Sequence, residues 1–195
     1  MRKRVVLFFA AAVVLFAFSA SAYQVVPMDL EQIISKANIV FRGVCRSKEV
    51  RTIHPPAAPA GVLVTHYVFD VTETLKGSAL PEFDQYGVPK AEAQKMGVPY
   101  AVGFMEYKPG QEYAVALTGP TDLGVYAPMG MAQGVFDVKY DANGKAMVVN
   151  GFSNANLFQG KGAGLTKAMK AAKMDPKKAK ELSYEDFKTM VNVLK

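Results

Sequence analysis

Between Asn38 and Asn150 the chain carries several stretches in which apolar and polar positions alternate with a period of two, and on both sides of that region the period becomes helical. A period of two places successive side chains on opposite faces of a strand, whereas spacings of three and four gather them on one face of a helix. Asp29-Leu30-Glu31-Gln32 has the form of a helix start: aspartate accepts from the free amides, and a glutamine follows three residues later. Leu30, Ile33, Ile34 and Ala37 then share one face. From Asn38 onward, Ile39, Phe41, Gly43 and Cys45 alternate with Val40, Arg42, Val44 and Arg46, which predicts a strand.

His54-Pro55-Pro56-Ala57-Ala58-Pro59-Ala60-Gly61 lacks the amide donors a ladder needs and reads as a loop. The clearest strand follows, with Leu63, Thr65, Tyr67, Phe69 and Val71 on one face and Val62, Val64, His66, Val68 and Asp70 on the other. A weaker strand is expected over Glu82–Val88 and a helical turn over Lys90–Met96. Pro109-Gly110 turns the chain into a strand over Glu112–Thr118. Gln133–Tyr140 and Lys145–Asn150, joined through Asn143-Gly144, predict a hairpin. About six strands with few helices between them point to a mainly β protein and argue against a parallel sheet. The expected architecture is a small antiparallel OB-like barrel, closed or partly open, with a β-sandwich as the alternative.

After Asn150 the alternation ends. Leu165, Ala168, Met169 and Ala172 fall on one helical face, with Lys167, Lys170 and Lys173 on another. Asp175-Pro176 ends that helix. Ser183 with Asp186 forms a second start signal ahead of Phe187, Met190, Val191 and Leu194. Gly160-Lys161-Gly162-Ala163-Gly164 looks superficially like a phosphate loop, yet it lacks the Gly-Lys-Ser/Thr order and reads as a flexible linker.

At the other end, Arg2-Lys3-Arg4, an apolar run from Val5 to Phe18, and Ala20-Ser21-Ala22 match a secretory signal peptide cleaved after Ala22. The run is shorter than the roughly 20 residues a spanning helix needs, so no transmembrane segment is expected in the mature chain. The organisation expected is therefore a signal peptide over 1–22, a β-barrel domain over 23–160 and a basic helical tail over 161–195. The formal charge of the 195 residues is +6, but it is uneven. Residues 161–195 carry nine lysines against four acidic residues, whereas 23–160 carry 11 basic and 13 acidic ones. The basic character belongs to the tail, and with export this argues against nucleic acid as a partner.

Asn38-Ile39-Val40-Phe41-Arg42-Gly43-Val44, Thr65-His66-Tyr67-Val68-Phe69-Asp70-Val71 with Leu75-Lys76-Gly77, Pro109-Gly110-Gln111-Glu112-Tyr113, Gln133-Gly134-Val135-Phe136 and Asn156-Leu157-Phe158 follow one another in this order. The series resembles a group of exported, largely uncharacterised bacterial proteins, and more distantly the OB-like barrels that include the netrin-like modules of metalloproteinase inhibitors. The resemblance implies a fold and brings no catalytic residues with it. Those inhibitors place an N-terminal cysteine on zinc, whereas the mature chain here would begin at Tyr23, so that mechanism does not transfer.

Candidate chemistry is sparse. Cys45 is the only thiol and falls on a face with Ile39 and Phe41, which predicts a buried, inert side chain. His66 and Asp70 share the outer face of a strand, and His54 lies in the proline loop; neither has the spacing of a zinc site. No acid, base and nucleophile converge, so the chain is read as a non-catalytic binding protein needing no cofactor. Lys167, Lys170 and Lys173 are the candidate partner-binding residues, facing an envelope protein or an anionic polymer or lipid surface. The alternative is periplasmic copper binding by Met129 and Met131, because thioethers favour cuprous ions.

Overall fold

The computed structural model describes residues 25–101, 103–175, 177–178 and 182–195. The signal peptide expected over 1–22, the cleavage point before Tyr23, the helix break at Pro176, and Lys180 and Glu181 lie outside them. Along the chain run α1 (Leu30–Lys36), β1 (Ile39–Ile53), β2 (Val62–Lys76), β3 (Glu82–Tyr86), α2 (Lys90–Met96), β4 (Glu112–Leu117), β5 (Val135–Tyr140), β6 (Ala146–Asn150), α3 (Ala163–Ala171) and α4 (Tyr184–Leu194). The strands form one antiparallel sheet in the order β3-β2-β1-β4-β5-β6.

The sheet is not closed into a barrel, nor are its strands divided between the two sheets of a sandwich. β3 and β6 are its edges. Alternation identifies strands but says nothing about which of them pair, so closure is beyond its reach. Two single bridges join the segment before β5 to strands of the sheet. Tyr126 bridges Gln85 of β3 in parallel, and Pro128 bridges Leu117 of β4. The other edge is covered by Ser183, which bridges Met147 of β6.

β1 and β2 pair along almost their whole length, with register shifts at three places, one of them between Cys45 and Ser47. A bulge of this kind bends a strand and changes which face its side chains take. Past the point near Arg46 where the sequence alternation fades, β1 stays paired with β2 out to Ile53. Gly43 sits where no side chain fits, since a Cβ there would stand 2.7 Å from the Asp70 carbonyl oxygen.

The two faces of the sheet bury different chemistry. One is aromatic: Phe41, Tyr67, Phe69, Phe83, Tyr107 and Tyr113 pack with Cys45, Val115, Leu117 and Val135. Their rings meet mostly edge to face, as for Tyr67 and Tyr107 with centroids 4.8 Å apart. The other face is covered by helices: Val40, Ala114, Ala116, Phe136, Val138 and Val148 meet Leu30, Ile33 and Ile34 of α1, Leu165 and Ala168 of α3, and Phe187, Met190 and Val191 of α4. Residues 161–195, set apart by their charge, thus share one core with the strands.

The helix starts follow the sequence signals. Asp29 accepts from the Gln32 amide and Gln32 reaches back to the Asp29 amide, while Ser183 Oγ accepts from the Asp186 amide. The stretch expected to be a flexible linker is instead a packed joint. Glu31 accepts from the Leu165 amide at 2.9 Å and so caps α3. A Cβ at Gly160 would collide with the Asp29 carboxylate, and one at Gly162 or Gly164 with that of Glu31. The glycines that resemble a phosphate loop therefore make room for the protein's own carboxylates. Among the described residues, no helix is long and apolar enough to cross a membrane.

Candidate functional site: a lysine face on α3

α3 is amphipathic by construction. Leu165 and Ala168 lie in the core, and the residues between them point outward. Lys167 and Lys170 are exposed, three residues apart and hence neighbours on one side. Lys173 is exposed too, but the helix ends at Ala171 and Lys173 takes a left-handed φ of 52°. Its expected place on the same helical stripe is therefore corrected: it stands just past the helix end. Lys177 and Lys178 follow, also exposed. None of these five lysines has an ion pair among the described residues. Asp175, the acidic residue among them, uses its carboxylate to accept from the Lys177 amide.

The remaining sequence candidates are spread over the molecule. Cys45 is fully buried, and burial pushes its thiol up to about 11. A thiol held in that range is protonated at neutral pH and is a poor nucleophile. His66 is half-buried; its Nδ1 lies 3.0 Å from Asp84 Oδ1, and its Nε2 lies 3.7 Å from a Glu82 oxygen. Arg51 holds the same Asp84 with two hydrogen bonds. Asp70, placed with His66 by the alternation, instead pairs with Arg46 at 2.6 Å. His54 keeps its Nδ1 3.2 Å from the Pro59 carbonyl oxygen, inside its own loop. Among the described residues, no three His, Cys, Asp or Glu side chains converge to hold a metal ion.

Met129 and Met131 enter different surroundings. Met129 packs against the helix-covered core. Gly130 and Met131 both take left-handed backbone conformations, and the Met131 sulfur lies against Gly103, where a Cβ would strike it. Met131 and Met28 line a cleft of about 370 Å³ with Val26, Gln32 and Lys36.

Two features escaped the sequence reading. The first is a half-buried network around Arg42. Its Nε donates to Glu112 at 2.7 Å, its Nη2 to the Tyr140 hydroxyl at 3.0 Å, and its guanidinium lies 4.2 Å from the Tyr184 ring centroid. Tyr184 donates to Glu73, which also pairs with Lys188. Burial by itself would raise both glutamates, but Arg42 and Tyr140 hold Glu112 below the usual carboxylate range, and Lys188 and Tyr184 do the same for Glu73. The second is an open groove of about 620 Å³, lined by Val62, Leu63, Val88 and Leu123 between the exposed rings of Tyr86 and Tyr100. Residues from the start of β2, the end of β3 and the loops nearby build it, and among the described residues no charged side chain lines it. Compared with known proteins, the chain matches no family model and no curated sequence.

Proposed function

We propose that the protein is an exported, non-catalytic binding protein that docks on an anionic polymer through the lysine face of α3. The observation that carries this reading is the concentration of five exposed lysines, unpaired among the described residues, between residues 167 and 178: Lys167 and Lys170 on α3, whose apolar side is fixed in the core, and Lys173, Lys177 and Lys178 just beyond its end. Lysine acts here as a mobile point charge, which suits a repeating polyanion better than one shaped ligand. A polymer is favoured over a bilayer because insertion needs apolar side chains beside the cations. Among the described residues, the large exposed apolar ones, Val26, Tyr86, Met96, Tyr100, Tyr140 and Phe152, all lie outside residues 161–178.

The OB-like part of the reading rests on the two single bridges. Residues 126 and 128 bridge β3 and β4, and residues of β1, β2, β3 and β4 pack in the aromatic core with Tyr126 against it, which supports this reading. A partly open barrel of five such elements is the arrangement proposed. The test of function is binding of the mature chain to long-chain polyphosphate and to poly-L-glutamate at low salt. Replacing Lys167, Lys170 and Lys173 by glutamine together should abolish it, and raising salt should weaken it, because exposed charges are screened over about 8 Å at physiological ionic strength. Unchanged binding by the triple variant, or no binding of the natural chain at low salt, would overturn the proposal.

A further inference from the structure

The aromatic face contains buried polar atoms that the described residues leave unsatisfied. Among the described residues, Gln85 Oε1 and the hydroxyls of Tyr107 and Tyr67 are buried without a hydrogen-bond partner from the chain. They belong to one neighbourhood. Tyr67 and Tyr107 are fully buried with their rings perpendicular, and both pack on Phe83, two residues before Gln85 on the same face of β3. Gln85 donates its amide to the Met105 carbonyl oxygen at 2.9 Å, two residues before Tyr107, so its side chain is anchored with the carbonyl end free. Tyr113, the third tyrosine of the cluster, is treated differently: its hydroxyl accepts from the Lys108 amide at 2.9 Å. The Tyr107 backbone opposes part of the effect of burial on Tyr67, yet it does not supply a well-formed hydrogen bond.

Burying a polar group without a partner is destabilising, and native cores satisfy such groups with the chain or with ordered water. Phenylalanine would fill the same space at positions 67 and 107 without that cost. We propose that the aromatic core encloses an internal water site, in which Gln85 Oε1 accepts from a water molecule that also hydrogen-bonds the Tyr107 hydroxyl, with Tyr67 beside it. The chemistry fits: the carbonyl oxygen only accepts, whereas a tyrosine hydroxyl donates or accepts, so one water satisfies both groups. Buried waters of this kind make two to four hydrogen bonds and act as part of the structure.

The test pairs a crystal structure of the mature chain with a double-mutant cycle. Density for one water within about 2.7–3.2 Å of Gln85 Oε1 and of the Tyr107 hydroxyl is expected. Tyr107→Phe should lower the melting temperature by about 2–4 °C. Gln85→Met should lower it too, and the double variant should lose less than the sum, because both residues depend on the same water. An empty, dry core in the crystal together with a Tyr107→Phe variant that melts higher than the natural chain would overturn the proposal. So would additive losses, since a shared water requires coupling. None of these outcomes bears on the lysine face, so polyanion binding by the same variants stays an independent measurement.

Discussion

On the sheet, Arg42, Arg46 and Arg51 each stand within hydrogen-bond distance of a carboxylate, and Lys48 pairs with Glu106. On α3 and the turn after it, Lys167, Lys170, Lys173, Lys177 and Lys178 have no such partner among the described residues. The contrast extends to residue type. The paired positions on the sheet use mostly arginine, whose planar fork fixes geometry, and the unpaired ones use only lysine. Half-buried charges that are paired hold elements together, and losing one partner strands the other. Exposed charges without partners add little to the fold and remain available to something outside it. If the lysines bind as proposed, stability and binding are separated in space, and mutation and pH should separate them in measurement.

The largest effect should come from Arg42. Arg42→Ala removes the bond to Glu112, the bond to Tyr140 and the contact over Tyr184, which join β1, β4, β5 and α4. A loss of about 2–3 kcal/mol is expected, below the full cost of breaking a buried pair because the site is partly open to solvent. Denaturant unfolding measures it. A change under about 0.5 kcal/mol would mean that the sheet charges are as dispensable as those of α3.

The two regions also differ in how far the sequence revealed them. The strand alternation, the Asn143-Gly144 turn and the capping signals at Asp29 and Ser183 are local, and each corresponds to an element in the fold. The lysine face was legible for the same reason, since Lys167 and Lys170 need only the helical period to fall together. Its far end was less so, because the left-handed turn at Lys173 is not written in that period. The Arg42 network was invisible: Arg42, Glu112, Tyr140 and Tyr184 lie far apart in sequence and meet through strand order. Closure of the sheet failed on the same ground. The glycines at 160, 162 and 164 read as flexible because nothing local shows that Asp29 and Glu31 approach them.

Acid should act next, and on the sheet first. Glu112 and Glu73 are held below the usual carboxylate range in the folded protein. A carboxylate with a depressed folded value contributes stability that is fully present above its unfolded value, about 4.3, and is lost as pH falls through the folded value. Glu112→Gln should therefore cost about 1–2 kcal/mol at neutral pH, the range for a hydrogen bond to a charged group. The difference from the natural chain should shrink as pH drops below about 4. A gap that stays constant across that range would show that the Arg42 network does not depend on the charge of Glu112.

A smaller loss is expected at Arg51, whose side chain is 41% exposed although it grips Asp84 with two bonds. Arg51→Ala should cost about 0.5–1 kcal/mol, and the loss should fall as salt is raised. Equal losses at Arg51 and Arg42 would remove burial as the factor that grades the sheet charges.

The smallest effect on stability should come from the lysine face, and there its smallness is the informative result. Replacing Lys167, Lys170 and Lys173 by glutamine together leaves Leu165 and Ala168 in place, keeps good helix formers on α3, and breaks no ion pair among the described residues. Two minor effects oppose each other. Lys170 lies in the last turn of α3, where a cation complements the negative end of the helix dipole, worth about 0.3–1 kcal/mol at low salt. Against it, five like charges close together repel one another, and removing three relieves that repulsion. The net change should stay within about 0.5 kcal/mol, and salt should reduce it further. Thermal unfolding at low and high salt, run beside the polyanion-binding assay, provides the comparison. A triple variant that melts like the natural chain and no longer binds places these lysines outside the fold's own needs. A variant that loses more than about 2 kcal/mol would give them a structural duty, and the separation between the paired sheet and the unpaired helix would fail.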